Sequence, residues 1–258
     1  MPELTMDHLE ALLPFIGVGF FAQLIDGALG MAFGVITNTL LVSVMGIAPA
    51  RASASVHLVE SFTTAASAIS HTLHKNVNWK LFARLVIPGV IGGVTGAYLL
   101  ANIDAKAARP FVMTYLAGIG LYLLYRAWEM THHHEHKKPK VVEPLGLIGG
   151  FLDAAGGGGW GPIVTSNLLV QGVEPRQTIG TVNTAEFFLT TVISLTFIVT
   201  IGLQAFTIAT IGLIIGGLLA APLGAVLAKR IPAKRLLYMV GTVLTLTSLY
   251  SLYKALSG

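Results

Sequence analysis

Asp26-Gly27-Ala28-Leu29-Gly30-Met31-Ala32-Phe33-Gly34 is echoed later in the chain by Asp153-Ala154-Ala155-Gly156-Gly157-Gly158-Gly159-Trp160-Gly161, at an offset of 127 (153 − 26). Ser55-Val56-His57-Leu58-Val59-Glu60 returns as Thr181-Val182-Asn183-Thr184-Ala185-Glu186 at an offset of 126. Leu121-Tyr122-Leu123-Leu124-Tyr125 returns as Leu249-Tyr250-Ser251-Leu252-Tyr253 at an offset of 128. Three matches at nearly one offset, spread over most of the length, mean a duplicated fold rather than a chance motif.

Composition says what kind of fold is duplicated. Only 11% of the 258 residues are charged, against about 25% in a soluble domain; 54% are hydrophobic and the mean hydropathy is +0.75. Ser53–Leu73, Leu81–Ala101, Ala107–Trp128, Thr178–Leu203, Ala205–Ala228 and Leu236–Leu256 each approach the roughly 20 residues that cross a bilayer. The chain reads as a multi-pass protein of the cell membrane. It has no Cys, which excludes disulfides, thiolate nucleophiles and thiolate metal sites. Met1–Glu10 carries Glu3, Asp7 and Glu10 and no Lys or Arg, unlike a signal peptide, so Leu12–Phe21 is expected to stay as part of the first membrane segment. The formal charge of +4 does not point to nucleic acid, because the basic residues fall in short loops, where they orient a membrane protein.

Each half holds one long Gly-rich apolar stretch, Ala11–Gly46 and Leu145–Gly172, followed by three ordinary spans. Glycine breaks at Asp26–Gly34 and Asp153–Gly161 suggest two half-helices meeting inside the membrane, a backbone that survives only where it is buried in protein or lines a cavity. Residues 1–128 form the first repeat, 129–144 a His/Lys-rich loop, and 145–258 the second repeat. If each first stretch crosses once, the 16 Lys and Arg divide 8 to 8 between the two sides. If each dips in and returns, 12 fall on one side and only Arg51, Lys106, Arg109 and Lys254 on the other. The positive-inside rule selects the second arrangement. The expected architecture is therefore an all-α polytopic membrane protein of two homologous inverted repeats. Each is a Gly-broken helical hairpin followed by three transmembrane helices, with the central loop cytoplasmic and both termini outside. Duplicated apolar halves of this kind are typical of secondary transporters whose site lies between them.

The polar residues inside the spans mark that site. Ser53, His57, Glu60, Thr64, Ser67 and His71 recur at helical steps of 4, 3, 4, 3 and 4, one continuous stripe. Asn183, Glu186, Thr190 and Ser194 repeat it in the second half. A carboxylate near the bilayer centre costs about 2.5–3.5 kcal/mol, so such stripes face a cavity or another helix; interhelical Ser, Thr and Asn hydrogen bonds are the structural alternative. Glu60 and Glu186 occupy equivalent positions, as proton carriers or as caps on the broken segments. His57 faces an Asn183 counterpart, so the site is asymmetric there, and His titrates near physiological pH. Gly157, Gly158 and Gly159 with Trp160 allow N–H groups to converge as an anion-binding nest, with a half-helix starting near Pro162 adding its dipole. Tight helix packing through small residues is the alternative. Asn38, Thr39 and Asn167, with Thr37, Thr165 and Ser166, follow the breaks and supply uncharged donors. Asp26 and Asp153 read as caps or locks on the turns, with cation or proton coupling as the alternative. The cluster His132, His133, His134 and His136 reads as solvated loop rather than a metal site. No GxSxG, HExxH or P-loop spacing occurs, so neither catalysis nor a cofactor is indicated.

Gly19 to Gly34, Pro49 to Glu60, Gly149 to Pro162 and Gly172 to Arg176 together resemble the two repeats of the sulfite exporter TauE/SafE family. The resemblance runs from about Ala11 to Leu256. It implies a proton-gradient-coupled transporter, usually an exporter, of small sulfur-containing anions such as sulfite or an organosulfonate like sulfoacetate. Its partners are that anion, protons and the lipid bilayer; a homodimer is compatible with it. A tetrahedral anion held by backbone N–H, Asn38, Thr39, His57, Asn167 and Asn183 would need no buried Arg, and alternating access would follow from rocking one repeat against the other. The competing readings are a proton-coupled carrier of another organic acid or of a cation bound by Asp26 and Asp153, and an intramembrane enzyme using His57.

Overall fold

A computed structural model describes residues 6–129, 139–206 and 208–257. The His-rich cluster at 132–136 lies outside the described residues. Ten α-helices follow one another: α1 Met6–Leu29, α2 Phe33–Ser43, α3 Pro49–Leu73, α4 Trp79–Asn102, α5 Ala105–Glu129, α6 Glu143–Gly156, α7 Ser166–Val170, α8 Pro175–Ile201, α9 Ile208–Arg230 and α10 Ala233–Ser257. A π turn, Gly161–Thr165, leads into α7. Among the described residues, α1, α4, α5, α8 and α10 contain stretches long and apolar enough to cross a membrane. α3 is as long, but carries the polar stripe along one side.

Local chemistry sets the ends. Pro49 and Pro175 start α3 and α8, where a missing N–H costs nothing, several residues before the apolar spans begin. Gly202 at φ +79° ends α8. The first Gly-rich stretch differs from the expected pair of half-helices. Helix α1 runs on through Asp26 and Gly27 to Leu29 and is itself long enough to span, so the break is confined to Gly30–Ala32. The second stretch is two short pieces, α6 and the π turn with α7, separated at Gly157–Trp160. Both breaks begin at the same place in the repeat: α1 ends at Leu29 and α6 at Gly156, each three residues after its aspartate.

Each stretch leaves and returns at its own end of the bundle. Val141, just before α6, donates its N–H to Gln171 Oε1 just after α7 (3.0 Å), and Gln171 Nε2 donates to Val141 O (3.1 Å). The starts of α4 and α8 lie at this same end, joined by the Asn78 N–H donating to Thr181 Oγ1 (2.9 Å). At the opposite end Thr210 Oγ1 donates to Ser55 Oγ (2.9 Å), bringing the starts of α9 and α3 together. The backbone at Leu12, early in α1, packs on Gly212, and Gly46, just after α2, shares a concavity with Pro49, Lys106 and Lys254.

The helix pairs cross between halves: α1 packs on α9, α4 on α6, α3 on α8 and α5 on α10. Close approach through glycine makes the first two crossings. A Cβ on Gly19 would lie 2.5 Å from Leu213 O, and one on Gly146 would lie 2.8 Å from Leu85 O. Those residues are counterparts at offsets of 127 (146 − 19) and 128 (213 − 85). Such backbone-to-backbone packing is how membrane helices associate without a hydrophobic drive between them.

Candidate functional site

The two breaks touch at the centre of the bundle, and each is held by its own aspartate. Asp26 Oδ1 accepts from the Phe33 N–H (3.1 Å), and its carbonyl from the Gly30 N–H (2.6 Å). Asp153 Oδ1 accepts from the Trp160 N–H (2.8 Å), and its carbonyl from the Gly158 N–H (2.8 Å). The carboxyl bond spans seven residues in both halves. Each aspartate thus satisfies donors that a broken helix would otherwise leave unpaired away from water.

The glycine run is the contact surface between the breaks. A Cβ on Gly157 would meet Asn38 Nδ2 at 2.1 Å, one on Gly158 the backbone of Gly34 and Val35 at 2.4 Å, and one on Gly159 Tyr115 Oη at 1.9 Å. Asn38 Nδ2 donates to Gly156 O (2.8 Å) and Tyr115 Oη to Gly158 O (2.9 Å). Trp160 is fully buried, its ring against Gly89 and Gly149 and its indole N–H donating to Val182 O (3.3 Å). Asn167 Nδ2 turns back to Ile163 O (2.7 Å), one turn earlier. Thr39 Oγ1 and Asn38 Oδ1 are buried without a hydrogen-bond partner among the described residues.

His57 joins the halves. Its Nε2 lies 3.1 Å from Asp153 Oδ2, its Nδ1 2.7 Å from Ser53 O, and all three side chains are buried. Ser53 Oγ donates to Ala154 O (2.8 Å) and lies 3.2 Å from Nδ1. Because Ser53 O can only accept, Nδ1 carries a hydrogen. The contact between Nε2 and Oδ2 then needs a second one, on the ring or on the carboxyl. With both hydrogens in place the pair would hold one proton more than a neutral imidazole beside a carboxylate. Phe197 closes over the ring at a centroid distance of 6.5 Å. One turn along α3, the Glu60 carboxyl lies against Gly34, and its Oε2 has no partner among the described residues.

On the other side of Glu60 lies a cavity of about 220 Å³, bounded by α1, α3 and α8 and thus by both halves. Its polar lining is Gln23, Asp26, Thr63, Thr64, Ser67, His71, Asn183 and Glu186. Among the described residues, no Lys or Arg lines it. Asn183 Nδ2 donates to Ser67 Oγ (3.0 Å). Of the residues singled out in the sequence, Asp26, Thr64, Ser67, His71, Asn183 and Glu186 meet here, whereas His57, Asp153, Trp160 and the glycines meet in the sealed centre. Gln23, Tyr115 and Phe197 were not singled out. Gln23 stands three residues before Asp26 in an apolar helix, a signal available in the sequence. Tyr115 and Phe197 reach the site only through tertiary packing.

The family model "Sulfite exporter TauE/SafE" matches residues 15–251. A protein of Bacillus subtilis (strain 168) named "Probable membrane transporter protein YtnM" is 40% identical over 249 residues, which are 93% of this chain and 82% of that relative. No solved structure matches significantly. A match over nearly the whole chain, on an all-helical fold with membrane-length helices and a polar centre shared by two halves, makes this chain a membrane transporter belonging to the sulfite exporter TauE/SafE family.

Proposed function

We propose that the chain exports sulfite or a small organosulfonate such as sulfoacetate, coupled to the proton gradient, by alternating access between two inverted repeats. One observation carries this reading. Asp26, Asn183 and Glu186 line an open cavity, while their counterparts Asp153, His57 and Glu60, at offsets of 127, 126 and 126, are sealed and 0–7% exposed. Equivalent residues in unequal surroundings are what a carrier caught facing one side should contain.

The exchange of helix contacts between halves, and hairpins starting from opposite ends, support the inverted relation. The cavity opens among residues of α3 and α8 near the end to which the sequence reading assigns 12 of the 16 Lys and Arg, which supports a cytoplasm-facing state with the termini outside. Phe197 stands at the counterpart of His71, an offset of 126. It would be the side chain that moves when the sealed half opens.

The cavity's carboxyls tie an anion to a proton. A monoanion entering beside Asp26 and Glu186 is repelled unless a carboxyl is protonated, whereupon its O–H becomes a donor to the anion. The His57–Asp153 pair is the second proton store. Replacing His57 with Asn, the residue of the other half, keeps a donor toward Asp153 but removes the extra proton. Sulfite flux in proteoliposomes by His57→Asn should persist down its own gradient and lose its response to an imposed pH gradient. Retention of the wild-type pH response would remove His57 from coupling.

The same cavity gives the cation reading its one supporting observation, two carboxyls and no fixed cation. Asp26→Asn separates the two readings, since it should abolish stabilisation by a bound cation but preserve that by sulfite or sulfoacetate.

A further inference from the structure

At the end of the bundle holding the starts of α3 and α5 and the last turn of α10 lies a second concavity, of about 440 Å³. Lys106, Arg109 and Lys254 line it together with Gly46, Ala48 and Pro49. These are three of the four Lys and Arg expected at this end. No acid lines it. Asp104, just before α5, is engaged with the N–H groups of Lys106 (2.8 Å) and Ala107 (3.4 Å).

The other half of the chain shows what belongs there. Pro49 and Pro175 both begin their helices and are counterparts at 126, which sets Ala48 opposite Glu174. Gly46 and Gly172, also counterparts, both have positive φ, +71° and +84°. Glu174 folds back so that Oε1 accepts from the Arg176 N–H (3.0 Å) and Oε2 from the Gln177 N–H (2.7 Å). The corresponding N–H groups, of Ala50 and Arg51, face an Ala48 that has no carboxylate to offer. The half that lacks the internal carboxylate is the half in which Lys106, Arg109 and Lys254 line the concavity at the helix start.

We propose that this concavity is an oxyanion site, in which a tetrahedral phosphate or sulfonate group takes the place of the carboxylate that Glu174 supplies in the second half. Lys106, Arg109 and Lys254 neutralise it, and the first turn of α3 donates to its oxygens. Such a group reaches the site as a phospholipid headgroup or as a soluble anion. The site is separate from the transport cavity and does not depend on the export reading.

The full-length protein in neutral detergent tests this by its melting temperature in two arms: micelles doped with phosphatidylglycerol against phosphatidylcholine, and inorganic phosphate against chloride at equal ionic strength. The wild type should be stabilised in at least one arm. A lipid-only response assigns a headgroup, and a phosphate response assigns a soluble anion. Ala48→Glu, which installs the missing carboxylate, should melt higher without ligand and lose the response. The triple variant Lys106→Gln, Arg109→Gln, Lys254→Gln should bind on the order of tenfold more weakly. No response of the wild type in either arm, or a response undiminished in the triple variant, would overturn the site.

Discussion

Asp153→Ala should lower stability by about 4 kcal/mol and abolish transport, because it strips partners from two buried groups at once. The Trp160 N–H loses its only side-chain acceptor at the break, and His57 Nε2 faces a void. Each unsatisfied group costs about 1–3 kcal/mol, and neither can reach water. Asp153→Asn separates the structural role from the chemical one. Its amide oxygen can still accept from Trp160, and its NH₂ can donate to a neutral His57 whose Nδ1 keeps its bond to Ser53 O. This variant should melt within about 1 kcal/mol of wild type, yet carry no extra proton and respond to no pH gradient. Asp26→Ala should cost only about 1 kcal/mol, since the carboxyl borders the open cavity and water can replace it at the Phe33 N–H. Thermal melts of the three proteins, with fluxes in proteoliposomes, check the series. Equal losses for Asp153→Ala and Asp26→Ala would mean that the halves are not in unequal states.

The second large effect belongs to the crossing of the breaks. Gly158→Ala places a methyl 2.4 Å from the Gly34 carbonyl carbon and the Val35 nitrogen, on a residue with φ +139°. Both obstacles are backbone, so no rotamer change relieves them. The hairpin tips must separate, and the loss should exceed about 3 kcal/mol from overpacking and backbone strain together. Gly118→Ala is the control, because nothing lies within 4 Å of its added methyl. If both glycine variants expressed and melted alike, the central contact between the hairpins would be wrong.

How much of this was legible in the sequence follows from the range of each interaction. The duplication, the breaks and the α3 stripe are local patterns, readable as offsets and helical steps. The equal spacing of Asp26 to Phe33 and Asp153 to Trp160 is local too, and it carries the carboxyl lock of each turn. What covers the glycines is not local. Asn38 and Tyr115 arrive from other helices, and three of the N–H groups expected in an anion nest, those of Gly157, Gly158 and Trp160, are held by Asp153 instead. Helix α1 exceeds a half-helix at its start, since it begins at Met6 whereas α6 begins at Glu143, the counterpart of Ile16 at the offset of 127. Nor could one sequence reveal which half of a near-symmetric pair is open. That is a property of the conformation, and Gln23 and Thr63 become cavity residues only through it.

The central claim is that equivalent positions in the two halves face opposite sides of the membrane in turn. The absence of Cys makes a direct measurement available without background. Thr64, on the open cavity, and Thr190, its fully buried counterpart at an offset of 126, can each be replaced by Cys and exposed to a membrane-impermeant thiol reagent in oriented vesicles. Thr64→Cys should react only from the cytoplasmic side. Thr190→Cys should react only from the outside, and only in conditions that protect Thr64→Cys. Reaction of both cysteines from the same side would contradict the inverted, alternating arrangement.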